Sequence, residues 1–148
     1  YRFKAPVSPH WAAEKERRWI DPNSLKLPFV KGPLIIETAG GLMVPLNRDF
    51  LQIDLIKKWG LPIVLVAKSG LGTLNHTLLS LEALNRRNIP VLGIILNGEI
   101  HEDNPNTLEQ FGDIPIIAQL PILKEISKKT LAEQWCKQNL AITFQNYL

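Results

Sequence analysis

The sequence predicts an α/β fold in which helices cover both faces of a parallel sheet, a three-layer arrangement. Apolar runs that end in small polar or glycine-containing clusters alternate with segments of helical periodicity, and this alternation indicates right-handed crossovers between parallel strands. The runs are almost continuously apolar, which is typical of strands that are buried on both faces. Four such runs with their clusters occur, at 34–41, 63–72, 91–99 and 114–121.

Three elements are predicted before the second run, and the first two are a helix and a strand. Ser8 and Pro9 are suited to the N-cap and first turn of a helix that extends through Trp11 to Arg18. A proline- and glycine-punctuated segment, 21–33, then leads into a first strand from Leu34 to Glu37.

The next helix is predicted to begin at Asp49 as its cap and to end before Gly60. Its apolar residues recur at helical spacing, at Phe50, Ile53, Leu55 and Ile56. Leucines three and four residues apart then predict a helix from Thr73 to Arg87, which Asn88 ends. The remaining predicted elements are strands at 62–67, 90–96 and 114–118, a short helix at 107–111 and a final helix at about 124–137.

Composition limits the classes of protein that fit. The 148 residues are 45% hydrophobic, which suits one domain with a buried core, and the net charge of +3 is too small and dispersed to favour nucleic acid. The apolar runs are far shorter than the about 20 residues that span a bilayer, so no membrane partner is expected. The single cysteine, Cys136, excludes an intrachain disulfide and favours a reducing compartment, so we expect a cytoplasmic protein with a partly buried, inert thiol.

Polar residues at the strand ends are the candidate site, because the carboxyl ends of parallel strands meet at one edge of a sheet. Glu37 follows the first run and could hold Mg²⁺, with small residues after it that allow close approach of a ligand. Asn97 follows the third run and could read a base edge, since an amide both donates and accepts. A solvated glutamate beside a glycine turn and an ordinary loop-starting asparagine remain open as alternatives.

No phosphate loop of the form G-x-x-x-x-G-K-[ST] occurs in the sequence. The segment at 68–73, KSGLGT, has no lysine directly before the serine or threonine that starts a helix, so it does not match that loop. Its N–H groups at the helix start could still hold an anion, although a plain strand-to-helix turn fits equally well. The histidines lack paired metal-ligand spacing, so a transition-metal site is not expected. They stand at positions 10, 76 and 101.

Several segments together resemble the dethiobiotin synthetase family, the ATP-dependent carboxylase-cyclases of biotin synthesis. The matching segments follow the family's order and cover nearly all of the chain: SPHWAAE (8–14), ETAGGLMVPL (37–46), LPIVLVAKSGLGTLNHTLLSLEAL (61–84), VLGIILNGE (91–99) and QLP (119–121). The resemblance implies a P-loop NTPase-like fold, ATP as co-substrate, Mg²⁺ and a homodimer.

The resemblance also implies roles for individual residues. Glu37 matches the Mg²⁺-binding acidic residue, and Ser8-Pro9-His10 matches a segment beside the substrate pocket. The residues implied to bind ATP are Glu37, Thr38, Ala39, Gly40, Asn97, Gly98, Pro121, Ile122 and Leu123. Those implied to reach the carboxylate of the substrate across the dimer interface are Gly72, Thr73, Leu74, Asn75 and His76. Two positions depart from the family's usual pattern, since Thr38 replaces a glycine and Gly98 replaces an aspartate.

The implied reaction joins 7,8-diaminopelargonate and CO₂ at the expense of ATP to form the ureido ring of dethiobiotin. In the family, the phosphate loop and the other catalytic residues precede the segments matched here. We therefore expect residues 1–148 to be the C-terminal part of one domain truncated at its N-terminus. We expect this part to contain no catalytic residue, to expose apolar strand edges and to be inactive alone. A non-catalytic nucleotide-binding remnant and a related ATP-dependent amidase of cobalamin synthesis remain as alternatives.

Overall fold

A computed structural model describes residues 1–147. The chain divides into two compact units, Tyr1–Leu61 and Pro62–Leu148. Each unit has a hydrophobic cluster of its own. The first is built on Ala13, Ile20, Leu46 and Leu55, and the second on Leu81, Ile94, Leu96 and Leu108.

The first unit contains two helices, α1 (Pro9–Lys15) and α2 (Gln52–Trp59), joined by turns and irregular chain. Helix α1 ends earlier than predicted, because Arg17 adopts a left-handed conformation with φ of 53°. Helix α2 ends as predicted at Gly60, whose φ of 65° is readily adopted by glycine.

The predicted cap of α2 is wrong by two residues. Leu51 is the N-cap, and its N–H group donates to the carboxylate of Asp54 at 3.3 Å. The N–H group of Asp49 instead donates to Oδ1 of Asn47 at 2.9 Å, which closes the turn before the helix.

The predicted strand from Leu34 to Glu37 does not form. Its residues lie in irregular chain, and the side chain of Ile35 is 93% exposed. A strand needs a neighbour that accepts and donates its backbone hydrogen bonds, and no segment within residues 1–147 pairs with this one.

The second unit confirms the α/β class with a parallel sheet and flanking helices. Its three strands pair in the order β1-β2-β3, and both pairings are parallel. In chain order the elements are β1 (Ile63–Lys68), α3 (Thr73–Asn85), β2 (Val91–Asn97), α4 (Asn104–Gly112), β3 (Ile116–Leu120), α5 (Lys128–Lys137) and α6 (Leu140–Thr143).

The helix boundaries of this unit have local causes. Helix α3 ends at Asn85, two residues before the predicted Arg87, and Asn88, the predicted stop, follows with φ of 54°. Helix α4 begins before the predicted residue 107, because the imidazole Nδ1 of His101 accepts the N–H groups of Asp103 and Asn104 at 3.2 and 3.1 Å. Helix α5 begins later than predicted, where the Ser127 hydroxyl accepts the N–H group of Thr130 at 3.3 Å.

Two burial expectations are wrong. Strand β1 lies at an edge of the sheet and is not buried on both faces, since Val66 is 62% exposed. Cys136 is exposed and not partly buried. None of the helices formed by residues 1–147 combines the length and the apolar character that crossing a membrane requires.

Candidate functional site

The Glu37 segment forms a tight loop in the first unit. The carboxylate of Glu37 is exposed and forms no ion pair within the described part of the chain. The hydroxyl of Thr38 donates to the carbonyl of Gly40 at 3.0 Å, and the Gly40 N–H group donates back to the Thr38 carbonyl at 3.0 Å. Gly40 has φ of 95°, and a Cβ atom there would lie 3.2 Å from Val44 Cγ2, so glycine is required at this turn.

A buried glutamine, which the sequence reasoning missed, holds this loop. The N–H group of Ala39 donates to Oε1 of Gln52 at 3.1 Å, and Nε2 of Gln52 donates to the carbonyls of Gly40 and Gly41 at 3.1 Å each. Gln52 is 3% exposed. The signal in the sequence is a glutamine among apolar residues at the start of a helix, a position that periodicity alone assigns to packing.

In the second unit, the ends of β2 and β3 bring two predicted segments together. Asn97 pairs with Leu120 in the sheet, and the N–H group of Gly98 donates to the Leu120 carbonyl at 2.9 Å. The side-chain amide of Asn97 is exposed, with no hydrogen-bond partner within residues 1–147. Directly after β3 come the partly buried Pro121, the 72% exposed Ile122 and the partly buried Leu123. The ligand roles of these residues remain predictions.

Gly98 is suited to its place by both conformation and space. Its φ is 138°, and a Cβ atom there would lie 3.3 Å from the Ser69 carbonyl oxygen. Ser69 is itself fixed, because its N–H group donates to the Asn97 carbonyl at 2.9 Å and its hydroxyl donates to the Glu99 carbonyl at 2.5 Å. A residue with a side chain at position 98 would be strained.

The segment from Gly72 to His76 forms the N-terminus of α3. Gly72 precedes the helix with φ of 90°, and the N–H groups of Leu74 and Asn75 form no hydrogen bond within the described residues. The hydroxyl of Thr73 is buried and lies 3.2 Å from that of Thr77, so it is already engaged in the core. Asn75 and His76 are exposed. The end of this helix therefore offers backbone donors to an anion.

A groove of about 310 Å³ lies between β1 and α3. The sequence reasoning missed it, because it depends on how the helix packs against the edge strand. Polar groups from Lys68, His76 and Ser80 share the groove with apolar ones. Its lining is Leu65, Val66, Ala67, Lys68, Leu71, Thr73, His76, Thr77 and Ser80.

The segment Ser8-Pro9-His10 starts α1 in the first unit. The Ser8 side chain makes no capping hydrogen bond, and Nδ1 of His10 is buried without a partner among residues 1–147. Glu14 lies one turn after His10 in α1. Arg48 donates two hydrogen bonds to the Glu14 carboxylate, at 2.7 and 2.6 Å. This pairing holds the pKa of Glu14 below its ordinary value and raises that of Arg48.

No group of three or more His, Cys, Asp or Glu side chains that could hold a metal ion occurs in the part of the chain that the structure describes. Mg²⁺, however, is often held by one or two protein carboxylates together with substrate phosphates. Glu37 offers one exposed carboxylate beside a loop of small residues, and this arrangement fits that pattern.

Comparison with known proteins confirms the resemblance found in the sequence. The chain is 49% identical over 138 residues to the biotin biosynthesis bifunctional protein of Bordetella avium (strain 197N), covering 93% of this chain and 30% of that protein. It is 46% identical over 128 residues to the ATP-dependent dethiobiotin synthetase of Paramagnetospirillum magneticum, covering 86% of this chain and 62% of the synthetase. The corresponding synthetase of Rhodopseudomonas palustris (strain HaA2) is 45% identical over 131 residues, with coverages of 88% and 62%.

The chain thus spans less than two thirds of the length of these relatives. A family model described as an AAA domain matches residues 1–130, most of the chain. The parallel sheet and the glycine-containing ends of its strands are consistent with that match. The chain belongs to this AAA domain family.

Proposed function

We propose that this chain is part of an ATP-dependent dethiobiotin synthetase that acts in the cytoplasm as a homodimer. Identity of 45–49% over 86–93% of this chain to two dethiobiotin synthetases and a biotin biosynthesis protein is the observation that supports the proposal most directly. The proposed reaction is the Mg²⁺-dependent carboxylation of 7,8-diaminopelargonate by CO₂, followed by closure of the ureido ring of dethiobiotin. Because the relatives are longer, the activity is proposed for a protein that includes their additional part.

In this proposal the adenine base binds where β2 and β3 end. The Asn97 amide is exposed and unpaired within residues 1–147, so both its donors and its acceptor are free for a base edge. Pro121, Ile122 and Leu123 supply apolar surface next to it, and Ile122 is 72% exposed without a ligand. Gly98 keeps the turn beside Asn97 narrow.

The phosphates and Mg²⁺ are assigned to the loop from Glu37 to Gly40. The Glu37 carboxylate would hold the ion, whose charge would offset the negative charge that develops during phosphoryl transfer. Thr38 and Ala39 belong to the same loop, and the glycine at position 40 closes its turn without a side chain. The loop itself therefore binds and orients, and needs no acid or base of its own.

The N-terminus of α3 is assigned to the substrate carboxylate, across the interface of a homodimer. It would bind the carboxylate of the 7,8-diaminopelargonate molecule that the neighbouring subunit holds. The free N–H groups of Leu74 and Asn75 and the positive end of the helix dipole suit an anion. Gly72 allows close approach, while Thr73 anchors the helix start and His76 lies exposed one turn along.

The proposed chemistry needs positioning more than covalent catalysis. One amine of the substrate takes up CO₂ as a carbamate, which attacks the γ-phosphorus of ATP and releases ADP. The second amine then attacks the activated carbonyl carbon, and phosphate leaves as the ring closes. The residues of this chain hold the base, the phosphates and the carboxylate in place, which is where most of the rate of such reactions arises.

The test compares the 148-residue chain with a protein extended upstream to the length of the relatives. We expect dethiobiotin formation only from the extended protein, and a loss of about a hundredfold or more in Glu37→Gln. Glu133→Gln, which removes an exposed carboxylate from α5, is the matched control and should keep full activity. Turnover by the 148-residue chain alone would contradict its expected inactivity.

Calorimetric titration separates the alternatives. The extended protein should bind both 7,8-diaminopelargonate and a non-hydrolysable ATP analogue. Binding of the nucleotide without turnover would favour a non-catalytic nucleotide-binding protein. Glutamine-dependent amide formation would favour an amidase of the cobalamin type.

A further inference from the structure

We propose that Gln52 is a positioning residue for the Glu37 loop, which it fixes by binding one backbone group of each of three consecutive residues. The inference rests on the proposed function, in which this loop holds Mg²⁺ and phosphate. Gln52 touches neither ligand in this scheme; it acts by holding the backbone from Ala39 to Gly41, two residues from the Glu37 carboxylate.

Both the N–H donors and the carbonyl oxygen of the Gln52 side chain form hydrogen bonds with this loop. A glutamine amide has two N–H donors and one carbonyl oxygen. Both donors bind loop carbonyls, at 3.1 Å from Gly40 and 3.1 Å from Gly41, and the oxygen accepts the Ala39 N–H group at 3.1 Å. The Gly40 carbonyl also accepts the Thr38 hydroxyl at 3.0 Å, so both of its lone pairs are used. The loop backbone is therefore fixed next to the residue that would hold the ion.

Gln52 is rigid because the start of α2 is itself anchored. Its own N–H group donates to the Val44 carbonyl at 2.9 Å, and the N–H group of Ile53 donates to the Leu42 carbonyl at 2.9 Å. Ile53 is fully buried and Gln52 is 3% exposed, which leaves neither side chain room to move. A side chain fixed on a helix positions a loop more accurately than one on another loop.

An amide is the side chain that this arrangement requires. A methionine of similar length would leave the Ala39 N–H group without its partner and would remove one of the two hydrogen bonds that each of the Gly40 and Gly41 carbonyls accepts. A glutamate would keep the acceptor for Ala39 and lose both donors, and its charge would face the carbonyls of Gly40 and Gly41. Either change should let the loop move while leaving Glu37 chemically intact.

The test uses the extended protein described above and measures the Mg²⁺ concentration that gives half-maximal dethiobiotin formation. In Gln52→Glu and Gln52→Met we expect this concentration to rise about tenfold to a hundredfold, the range seen when groups that orient a metal ligand are lost. Activity should recover at saturating Mg²⁺, because Glu37 is still present.

The matched control is Asn47→Asp. Asn47 is 5% exposed in the same unit, its Nδ2 group donates to the Ile20 carbonyl at 3.0 Å, and its Oδ1 atom accepts the N–H group of Asp49 at 2.9 Å. The substitution thus removes a buried amide donor without touching the Glu37 loop. It should lower the melting temperature and leave the Mg²⁺ requirement at the wild-type value.

An unchanged Mg²⁺ requirement in folded Gln52 variants, or the same rise in Asn47→Asp, would overturn the inference. As a second measurement, independent of activity and of how the variants fold, the side-chain amide protons of Gln52 are followed by NMR in the unmodified protein. They should shift when Mg²⁺ and a non-hydrolysable ATP analogue are added, and unshifted resonances would refute the role. Failure of the proposed function would look different, since the wild-type protein would then form no dethiobiotin and Glu37→Gln would change nothing.

Discussion

The backbone conformations of individual glycines set the positions of several candidate site residues. Gly40 and Gly98 both have positive φ, and each lies where a side chain would meet a neighbour. Glycine at position 98 suits the local geometry, because a Cβ atom there would lie close to both the backbone and the side chain of Ser69. Gly98 is also hydrogen-bonded to the end of β3, so its conformation fixes Asn97 relative to the residues after that strand.

Gly98→Ala should therefore destabilise the protein. Its φ of 138° and the 3.3 Å distance from a Cβ atom to the Ser69 carbonyl oxygen predict a loss of about 1–3 kcal/mol in the free energy of unfolding. Gly41→Ala is the control, because a Cβ atom there has no neighbour within 4 Å and the backbone is not left-handed. Urea denaturation measures both variants, and equal effects would show that glycine at 98 is not conformationally required.

The pairing of Glu14 with Arg48 predicts a pH-dependent contribution to stability. Hydrogen bonds from Arg48 hold the pKa of Glu14 below its value in the unfolded chain. A carboxylate with a lowered folded-state pKa stabilises the protein above its unfolded pKa, and this contribution disappears as pH falls through the lowered value. The effect should be small, since the side chain of Arg48 is 62% exposed and that of Glu14 is 37% exposed.

Melting temperatures measured from about pH 7 down to about pH 2 test this prediction. The wild-type protein should melt higher than Glu14→Gln at neutral pH, and the difference should vanish at the acid end. Arg48→Gln should remove the same pH-dependent part. A difference that stays constant across the range would mean that the carboxylate charge of Glu14 contributes nothing.

At the scale of elements, the two edges of the sheet differ. The outer edge of β3 is covered in part by Gln138, the residue after α5. Its side-chain amide pairs with the backbone of Gln119 as a neighbouring strand would. Gln119 N–H donates to Oε1 of Gln138 at 3.1 Å, and Nε2 of Gln138 donates to the Gln119 carbonyl at 2.9 Å. The edge of β1 has no such cover among residues 1–147, and it carries the exposed Val66.

Gln138→Ala should cost about 1–2 kcal/mol of unfolding free energy, since two backbone groups of β3 lose their partner. Gln138→Glu should also destabilise, because it retains the acceptor but places a charge against the Gln119 carbonyl. Gln145→Ala, at an exposed glutamine after α6, is the control and should change stability by less than about 0.5 kcal/mol. Chemical denaturation with matched buffers distinguishes these outcomes.

The sequence predicts elements well where the signal is local and poorly where it is not. Leucine spacing locates α3, and apolar runs locate the three paired strands to within one or two residues. The run at 34–37 has the same composition yet remains irregular, because strand formation depends on a pairing partner and not on composition alone. Gln52 was missed for a related reason: its value lies in three backbone groups that only the folded loop brings to it.

At the scale of the whole chain, large apolar side chains are exposed in both units. Phe29 and Ile35 are 94% and 93% exposed in the first unit, and Leu71 and Val66 are fully and 62% exposed in the second. Exposed apolar groups next to an unpaired strand edge favour association with other strands. The chain taken alone therefore has a specific element from which association would start, the edge of β1.

Val66→Lys should reduce the self-association of the 148-residue chain. A lysine on an exposed edge strand disfavours edge-to-edge pairing, because it would have to be desolvated beside its own copy. Folding stability should change little, since Val66 is 62% exposed. Light scattering over a concentration series measures the effect. Leu79→Lys adds the same charge at a 57% exposed position on α3, outside the strand, and should act more weakly. An equal reduction by both variants would assign the effect to net charge, and no reduction by Val66→Lys would show that association does not proceed through β1.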